Sequence, residues 1–270
     1  MMSENEKERW NTGSAYEQYV GRWSRRVAVA FLDWLAIPIG QGWVDVGCGT
    51  GGLVATILTR NDPDSVIGID RSENFLADAH RRVTDRKVRF QVGDAMKLPM
   101  ESAGCDVAVS GLVLNFVAEP DRMVQEMCRV TKAGGIVAVY VWDYAGEMEM
   151  MRHFWDAAIE ISPQDAHFNE GNRFPLCHPD ALQRLWEQNG LTQVSVRAID
   201  IQTVFRDFED YWTPFLGGQG PAPTYLNSLS PETQERIRAL LQTRLIPTSD
   251  GRIALRARAW AVQGRTAPEG

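Results

Sequence analysis

A short stretch near residue 45 limits the possible folds more than any other part of the chain. Residues 42–46 form an apolar, β-prone run that ends at Gly47-Cys48-Gly49-Thr50-Gly51-Gly52. Helical spacing of apolar residues begins at once and continues through Leu58. Strand, glycine turn and helix in this order are typical of a nucleotide-type loop at the carboxyl edge of a parallel sheet. Glycines in such a loop allow positive φ and let a ligand lie directly on the backbone.

Two classes of cofactor use this kind of loop. Gly47, Gly49 and Gly52 fit the pattern G-x-G-x-x-G, so the glycines alone leave a dinucleotide open. Asp45 favours another ligand, because its negative charge would repel a pyrophosphate and attract an ammonium and a sulfonium group. An NAD(P)-dependent oxidoreductase is therefore the alternative interpretation, and a cofactor-binding protein without turnover is a third.

Residues 44–51, Val-Asp-Val-Gly-Cys-Gly-Thr-Gly, resemble motif I of the class I S-adenosylmethionine-dependent methyltransferases. The resemblance extends over residues 40–145 and is closest to the small-molecule branch that includes ubiquinone and menaquinone biosynthesis methyltransferases. It implies S-adenosylmethionine as cofactor and S-adenosylhomocysteine as product. The implied fold is α/β: a doubly wound, seven-stranded, mostly parallel, Rossmann-like sheet.

Two further acids follow predicted strands. Asp70 ends the apolar run 65–70, where a β-α-β return brings a carboxylate to a ribose diol, and Ser72 is available to cap the next helix in its place. Asp94 follows the next strand. The family resemblance implies that its carboxylate accepts a hydrogen bond from the adenine amino group and that the next backbone N–H reaches a ring nitrogen.

The resemblance implies other cofactor contacts as well. An N-terminal helical segment, residues 10–36, is expected to cover the site, with Arg22 binding the methionine carboxylate through its bidentate fork. The full set of expected cofactor-binding residues is Tyr19, Arg22, Asp45, Gly47, Cys48, Gly49, Asp70, Arg71, Asp94, Ala95, Met96 and Ser110.

Methyl transfer mainly requires a positioned acceptor, exclusion of water and, for oxygen or nitrogen acceptors, removal of a proton. We expect the catalytic candidates to be Asn115 after the fourth strand, Asp143 at the end of the fifth, and His153 on a following helix. A capping role for Asp143 and a partly buried structural role for His153 are the open alternatives. The Asn/Asp-Pro-Pro-Tyr/Phe tetrapeptide of amino-methylating nucleic-acid enzymes is absent after the fourth strand.

Strands and helices alternate up to Trp142, and the remainder departs from this order. We predict one domain over residues 1–270, with lid insertions at 144–178 and 206–248 whose aromatic side chains line a substrate pocket or form the lid core. Residues 132–135 are expected to end a helix, 144–161 to form a helix and 216–223 to form a loop. A closing pair of strands, one antiparallel, is expected at 192–205 and 251–262.

Composition and charge disfavour several classes of partner. A net charge of −7, from 28 basic and 35 acidic residues, disfavours a polyanionic substrate. The first nine residues carry no apolar signal region, no stretch reaches the ~18 apolar residues of a membrane helix, and the four cysteines show no metal-ligand spacing. We therefore expect a cytoplasmic protein with a small-molecule acceptor, no metal, and no nucleic-acid or membrane partner, and leave the oligomeric state open.

Overall fold

The computed structural model describes residues 20–217 and 220–268. It contains a single sheet of seven strands, which are β1 (Gly42–Val46), β2 (Ser65–Asp70), β3 (Val88–Val92), β4 (Cys105–Gly111), β5 (Thr131–Trp142), β6 (Thr192–Phe205) and β7 (Ile253–Arg265). The strand order is β3-β2-β1-β4-β5-β7-β6. Strands β1 to β5 are parallel, and β7 runs antiparallel to β5. The predicted doubly wound sheet is confirmed.

Helices connect the strands and account for most of the remaining chain. The α-helices are α1 (Arg22–Leu35), α2 (Gly52–Asn61), α3 (Glu73–Arg82), α4 (Pro120–Val130), α5 (Glu149–Ile161), α6 (Glu170–Arg173), α7 (Pro179–Gln188), α8 (Phe208–Trp212), α9 (Pro221–Ser228) and α10 (Pro231–Arg244). Short 3₁₀ segments lie at Leu114–Phe116, Pro163–Phe168, Pro175–Cys177 and Thr213–Gly217. The prediction that Ser72 caps α3 is confirmed, since its hydroxyl accepts from the Phe75 N–H at 3.3 Å.

The described chain divides into two compact units. The first contains the described residues up to Trp23 together with 143–175 and 200–258. The second contains residues 24–142, 176–199 and the chain from Ala259 onward. Most of the two predicted lid insertions belong to the first unit, and their role as a lid stays a prediction.

The core of the second unit lies between the sheet and helices α4 and α7. Val44 and Val46 of β1 pack there with Met123 and Met127 of α4 and with Trp186 of α7. The Trp186 indole N–H also donates to the carbonyl of a β5 residue at 3.0 Å, which ties α7 to the sheet. Because side chains alternate along a strand, the residue between the two valines points to the opposite face.

The first unit has an aromatic core. Phe154 stacks on Phe215 with 4.7 Å between ring centroids, and Tyr225 packs beside both Phe154 and Trp155. The Trp155 indole N–H donates to the buried carboxylate of Glu170. The sequence left two roles open for these aromatic side chains, namely lining a substrate pocket or forming the core of the lid. In the structure they pack against one another.

Three local expectations were wrong. Helix α4 ends at Val130, and residues 132–135 form an irregular start of β5 because the β4–β5 register shifts after Cys105–Thr131. Helix α5 begins at Glu149 instead of residue 144, since Asp143 holds a turn before it. Helix α9 occupies part of the predicted loop 216–223, where Pro221 stands in the first turn.

Candidate functional site

Three acids lie at the carboxyl ends of three neighbouring strands. Asp45 is the fourth residue of β1, Asp70 is the last residue of β2, and Asp94 follows β3 by two residues. The Gly93 N–H donates to the Asp70 carbonyl at 3.0 Å, which holds the segment before Asp94 against the end of β2. The order β3-β2-β1 therefore brings the three predicted acids to one edge of the sheet.

Asp45 is a buried carboxylate that has no hydrogen-bond partner in the described part of the chain. Only 1% of its surface is exposed, and neither carboxylate oxygen has a hydrogen-bond donor among the described residues. Burial and the nearby charge of Asp70 raise its pKa from 3.8 to about 8. An unpaired buried carboxylate is costly, so this position favours a ligand that brings positive charge.

Asp70 is bonded to the glycine loop. One oxygen accepts from the Gly49 N–H at 2.9 Å, and the other accepts from the Ser72 N–H at 2.8 Å. Each carboxylate oxygen has a second lone pair, so the predicted acceptance from a ribose diol is still possible. The carboxylate thus links the glycine loop to the start of α3.

The glycine loop has the geometry of a ligand cradle. Gly47 has φ +75°, its N–H donates to the Ile69 carbonyl at 2.7 Å, and a Cβ there would lie 2.6 Å from Val113. Gly49 has φ +52°, and a Cβ there would meet nothing within 4 Å. Cys48 between them is buried, and burial raises the pKa of its thiol. The loop is closed at Gly47 and open at Gly49, where a ligand can approach the backbone.

The segment after β3 forms a tight turn. The exposed Asp94 accepts from the Met96 N–H at 2.8 Å, with the half-buried Ala95 between them. The buried Glu126 holds the following residues, since its carboxylate accepts from the Leu98 N–H at 2.8 Å. Contacts of this turn with adenine stay predictions.

Two expected site residues, Ser110 and Asn115, lie in β4 and in the 3₁₀ segment that follows it. Ser110 is fully buried, and its hydroxyl donates to the Val46 carbonyl at 2.6 Å, which links β4 to β1. The Asn115 side-chain amide donates to the Cys177 thiol at 3.3 Å, while its buried oxygen Oδ1 has no partner within residues 20–217 and 220–268. Asn115 therefore keeps one acceptor free for another group.

Three other residues predicted to bind the cofactor are Arg22, Tyr19 and Arg71. The Arg22 guanidinium already holds a carboxylate, donating through Nη1 to Asp210 at 3.0 Å and 3.3 Å and stacking on Trp23. Tyr19 lies outside the described residues, and Arg71 is exposed. Binding of the methionine carboxylate by Arg22 stays a prediction, and it would require the pair with Asp210 to open.

The two predicted bases belong to the first unit. Asp143 is buried, and its carboxylate accepts from the Glu147 N–H at 3.1 Å in the turn before α5. The N-cap of α5 is Met148, so Asp143 does not cap this helix. His153 is half-buried on α5, and its pKa is lowered by burial and by Arg152. A lowered pKa keeps the imidazole neutral near pH 7 and able to accept a proton.

Sequence reasoning missed several partners in these sites. Tyr140 lies across Gly111, Cys177 bonds Asn115, and Asp210 pairs with Arg22. Cys177 and Asp210 are far along the chain from their partners, so no local pattern could have found them. The adjacent strands β4 and β5 could have suggested the contact of Tyr140 with Gly111.

The fold and the site together define a nucleoside-binding protein of the Rossmann-like class. Asp45 and the open space at Gly49 fit a nucleoside that carries positive charge. Comparison with known proteins agrees, because residues 44–139 match the family model described as a methyltransferase domain.

Relatives share parts of the chain to different extents. The tRNA (carboxymethyluridine(34)-5-O)-methyltransferase ALKBH8 of Mus musculus is 36% identical over 140 residues, which are 51% of this chain and 20% of that protein. Demethylmenaquinone methyltransferase of Staphylococcus aureus is 28% identical over 71% of this chain and 82% of its own length. The chain thus spans about a fifth of the ALKBH8 length.

The fold occurs in solved methyltransferase structures. Phosphoethanolamine N-methyltransferase 2 of Haemonchus contortus, in complex with phosphomonomethylethanolamine and S-adenosylhomocysteine, superposes with a TM-score of 0.58 at 18% identity. The match covers 94% of this chain and 56% of that one. Residues 44–139 are therefore similar to a methyltransferase domain, and this similarity favours S-adenosylmethionine of the two cofactors that the glycines left open.

Proposed function

We propose that the protein transfers the methyl group of S-adenosylmethionine to a small apolar or aromatic molecule, at an oxygen, nitrogen or carbon atom. The observation that carries this proposal is the Asp45 carboxylate, which is buried, has no hydrogen-bond partner among the described residues and precedes the loop whose backbone is open at Gly49. A cofactor with an ammonium and a sulfonium group supplies the positive charge that this carboxylate lacks. Asp70 beside it supplies acceptors for a ribose.

Methyl transfer requires few functional groups from the protein. The sulfur–methyl bond breaks as the acceptor atom forms its bond to the methyl carbon, and the leaving thioether is neutral. The residues therefore hold the two molecules in line and keep water out. An acceptor hydroxyl or amine also loses a proton, and the neutral imidazole of His153 is the better of the two candidate bases, since Asp143 is engaged in its turn.

Asn115 contributes a second polar contact to the acceptor. Its unpaired oxygen Oδ1 lies in the 3₁₀ segment that follows β4, and it can accept from a hydroxyl or amine of the acceptor. Its amide is held from the other side by the Cys177 thiol. An amide oxygen cannot take the proton at neutral pH, so Asn115 is proposed to orient the acceptor.

The relatives favour a small-molecule acceptor. The demethylmenaquinone methyltransferase matches along 82% of its length, whereas ALKBH8 matches along 20%. An RNA acceptor is the second candidate, supported by the 36% identity to ALKBH8. The net charge of −7 weighs against it, because RNA binding needs clustered positive charge.

We also infer the cellular compartment of the protein. The four cysteines are free thiols, three of them buried, which agrees with a reducing cytoplasm. Among the residues that the structure describes, no helix is both long and apolar enough to cross a bilayer.

Transfer of labelled methyl groups tests the proposal. The protein is incubated with S-adenosylmethionine carrying a tritiated methyl group and, in separate reactions, with demethylmenaquinone reduced to its quinol, a small-molecule extract, and bulk tRNA. We expect label in one of the small-molecule reactions. Label in tRNA alone would establish the second candidate, and label in none would contradict methyl transfer to these classes.

A further inference from the structure

One face of the sheet brings a tyrosine to the same edge as Asp45. In the registers of the parallel strands, Asp45 lies level with Val109 of β4, and Gly111 of β4 lies level with Tyr140 of β5. Val109 and Gly111 are two residues apart, so all four positions present their side chains on one face. Asp45, Gly111 and Tyr140 therefore share a face across three adjacent strands.

The Tyr140 side chain lies over β4. A Cβ on Gly111 would stand 2.6 Å from Cζ of Tyr140 and closer still to its hydroxyl oxygen. Neighbouring strands are about 4.8 Å apart, so the ring crosses from β5 toward the strand that carries Asp45. The absence of a side chain at Gly111 is what permits this position.

The ring is fixed in this orientation. Phe31 of α1 packs on it with 4.8 Å between ring centroids, and only 3% of the Tyr140 surface is exposed. A phenol held by the Phe31 ring and by its position over Gly111 has little rotational freedom to lose when a ligand binds, so its oxygen is well preorganised to accept a hydrogen bond.

We infer that the Tyr140 hydroxyl is a second oxygen ligand, besides Asp45, for the ammonium group of the cofactor, and so selects for its amino-acid end. The inference rests on the proposed function, because it needs the cofactor at this edge of the sheet. An ammonium group has three donors, of which the Asp45 carboxylate satisfies only some. The phenol oxygen over Gly111, on the face of the sheet that carries Asp45, gives that group a second acceptor.

Two ligands separate this role from packing. S-adenosylhomocysteine carries the amino-acid end, whereas 5′-methylthioadenosine keeps the adenosine and the sulfur and lacks that end. Calorimetry measures both with wild type and with Tyr140→Phe, which removes the hydroxyl and keeps the ring. We expect S-adenosylhomocysteine to bind about fivefold to twentyfold more weakly to the variant, and methylthioadenosine to bind within twofold of wild type.

Two further variants complete the test. Gly111→Ala displaces the phenol without removing its hydroxyl, and we expect it also to weaken S-adenosylhomocysteine more than methylthioadenosine. Tyr225→Phe removes a hydroxyl that donates to Asp165 in the first unit, and it should change neither affinity.

The possible failures are distinguishable. Unchanged S-adenosylhomocysteine affinity in Tyr140→Phe, or an equal loss for both ligands, would overturn the role of Tyr140 and leave the proposed function intact. Absence of S-adenosylhomocysteine binding by the wild-type protein would overturn the proposed function together with this inference.

Discussion

The backbone N–H of Gly49 donates to a carboxylate oxygen of Asp70 across 2.9 Å, which joins the loop after β1 to the end of β2. The second oxygen of the same carboxylate accepts from the Ser72 N–H. One side chain thus sets the shape of the glycine loop and the start of the next helical segment. The proposed binding of the cofactor and the folding of the loop therefore depend on the same residue.

Replacing Asp70 tests this coupling. Asp70→Asn places an amide donor against either the Gly49 or the Ser72 N–H, so we expect the free energy of unfolding to fall by about 1–3 kcal/mol. We expect S-adenosylhomocysteine binding to weaken by a similar amount. Asp85→Asn is the control, because Asp85 accepts from the Lys87 N–H at 2.8 Å in an exposed turn. Equal losses in the two variants would contradict a special role for Asp70.

Asp45 makes stability depend on pH. Its pKa is about 8 in the folded protein and 3.8 as its ordinary value, so between these pH values only the folded state holds the proton. The free energy of unfolding therefore falls as pH rises through this window, by up to about 1.4 kcal/mol per pH unit. Asp45→Asn cannot ionise, and we expect it to be more stable than wild type at pH 9, by a larger margin than at pH 5. Thermal melts of both proteins without ligand measure the difference, and the same margin at both pH values would contradict the burial of this charge.

The open backbone at Gly49 gives a prediction with an internal control. Gly49 and Gly190 both have positive φ, and a Cβ on either would meet nothing within 4 Å. Alanine at either position should cost a similar free energy of unfolding, about 1 kcal/mol, for its left-handed conformation. Only Gly49→Ala should weaken S-adenosylhomocysteine, because its methyl group takes the space that the ligand needs. Equal binding by the two variants would move the ligand away from this loop.

The ion pair of Glu126 and Arg129 supports the turn after β3. Arg129 donates to both oxygens of the buried Glu126 and to the carbonyls of Leu98 and Met100, and its guanidinium lowers the pKa of the Glu126 carboxyl. Arg129→Ala leaves that carboxylate with one backbone donor, and we expect unfolding to become about 2–3 kcal/mol easier. Arg122→Ala should cost less than about 0.5 kcal/mol, since Arg122 is half exposed and 3.9 Å from Glu126.

The sign of the pH dependence follows from the lowered pKa. Glu126 adds stability above its ordinary value of 4.5, and this contribution is lost as pH falls through the depressed folded value. The difference between wild type and Arg129→Ala in thermal melts should therefore be full at pH 7 and shrink below pH 4. A difference that does not change with pH would mean that packing of the arginine stem, and not its charge, stabilises the turn.

The sheet could be predicted because its signals are local. Strands β1, β2 and β4 are short, mainly apolar runs, β3 alternates apolar and polar residues, and an acid stands near or just after the end of the first three. Parallel strands then bring those acids together whatever the rest of the chain does. The first and last residues of β2 and β6 agree with the predicted ones, because the sequence signals for these two strands are also local.

The remaining features depend on contacts that are distant in sequence. Arg22 pairs with Asp210, 188 residues away, so its carboxylate partner could not be foreseen. The position of the Tyr140 phenol depends on the missing side chain at Gly111, one strand away. The sequence predicts a loop over residues 216–223 because glycine and proline dominate them, although Pro221 is also compatible with the first turn of helix α9.

The central claim is that a buried carboxylate at the end of β1 binds the cationic end of S-adenosylmethionine. Calorimetry of the wild-type protein and of Asp45→Asn with S-adenosylhomocysteine and NAD, at pH 6.5 in two buffers of different ionisation enthalpy, tests it most directly. We predict that the wild type binds S-adenosylhomocysteine with release of about one proton, because the ammonium group favours ionised Asp45. The variant should bind about 1–3 kcal/mol more weakly and release no proton. Micromolar binding of NAD without binding of S-adenosylhomocysteine, or equal proton release by both proteins, would contradict the claim.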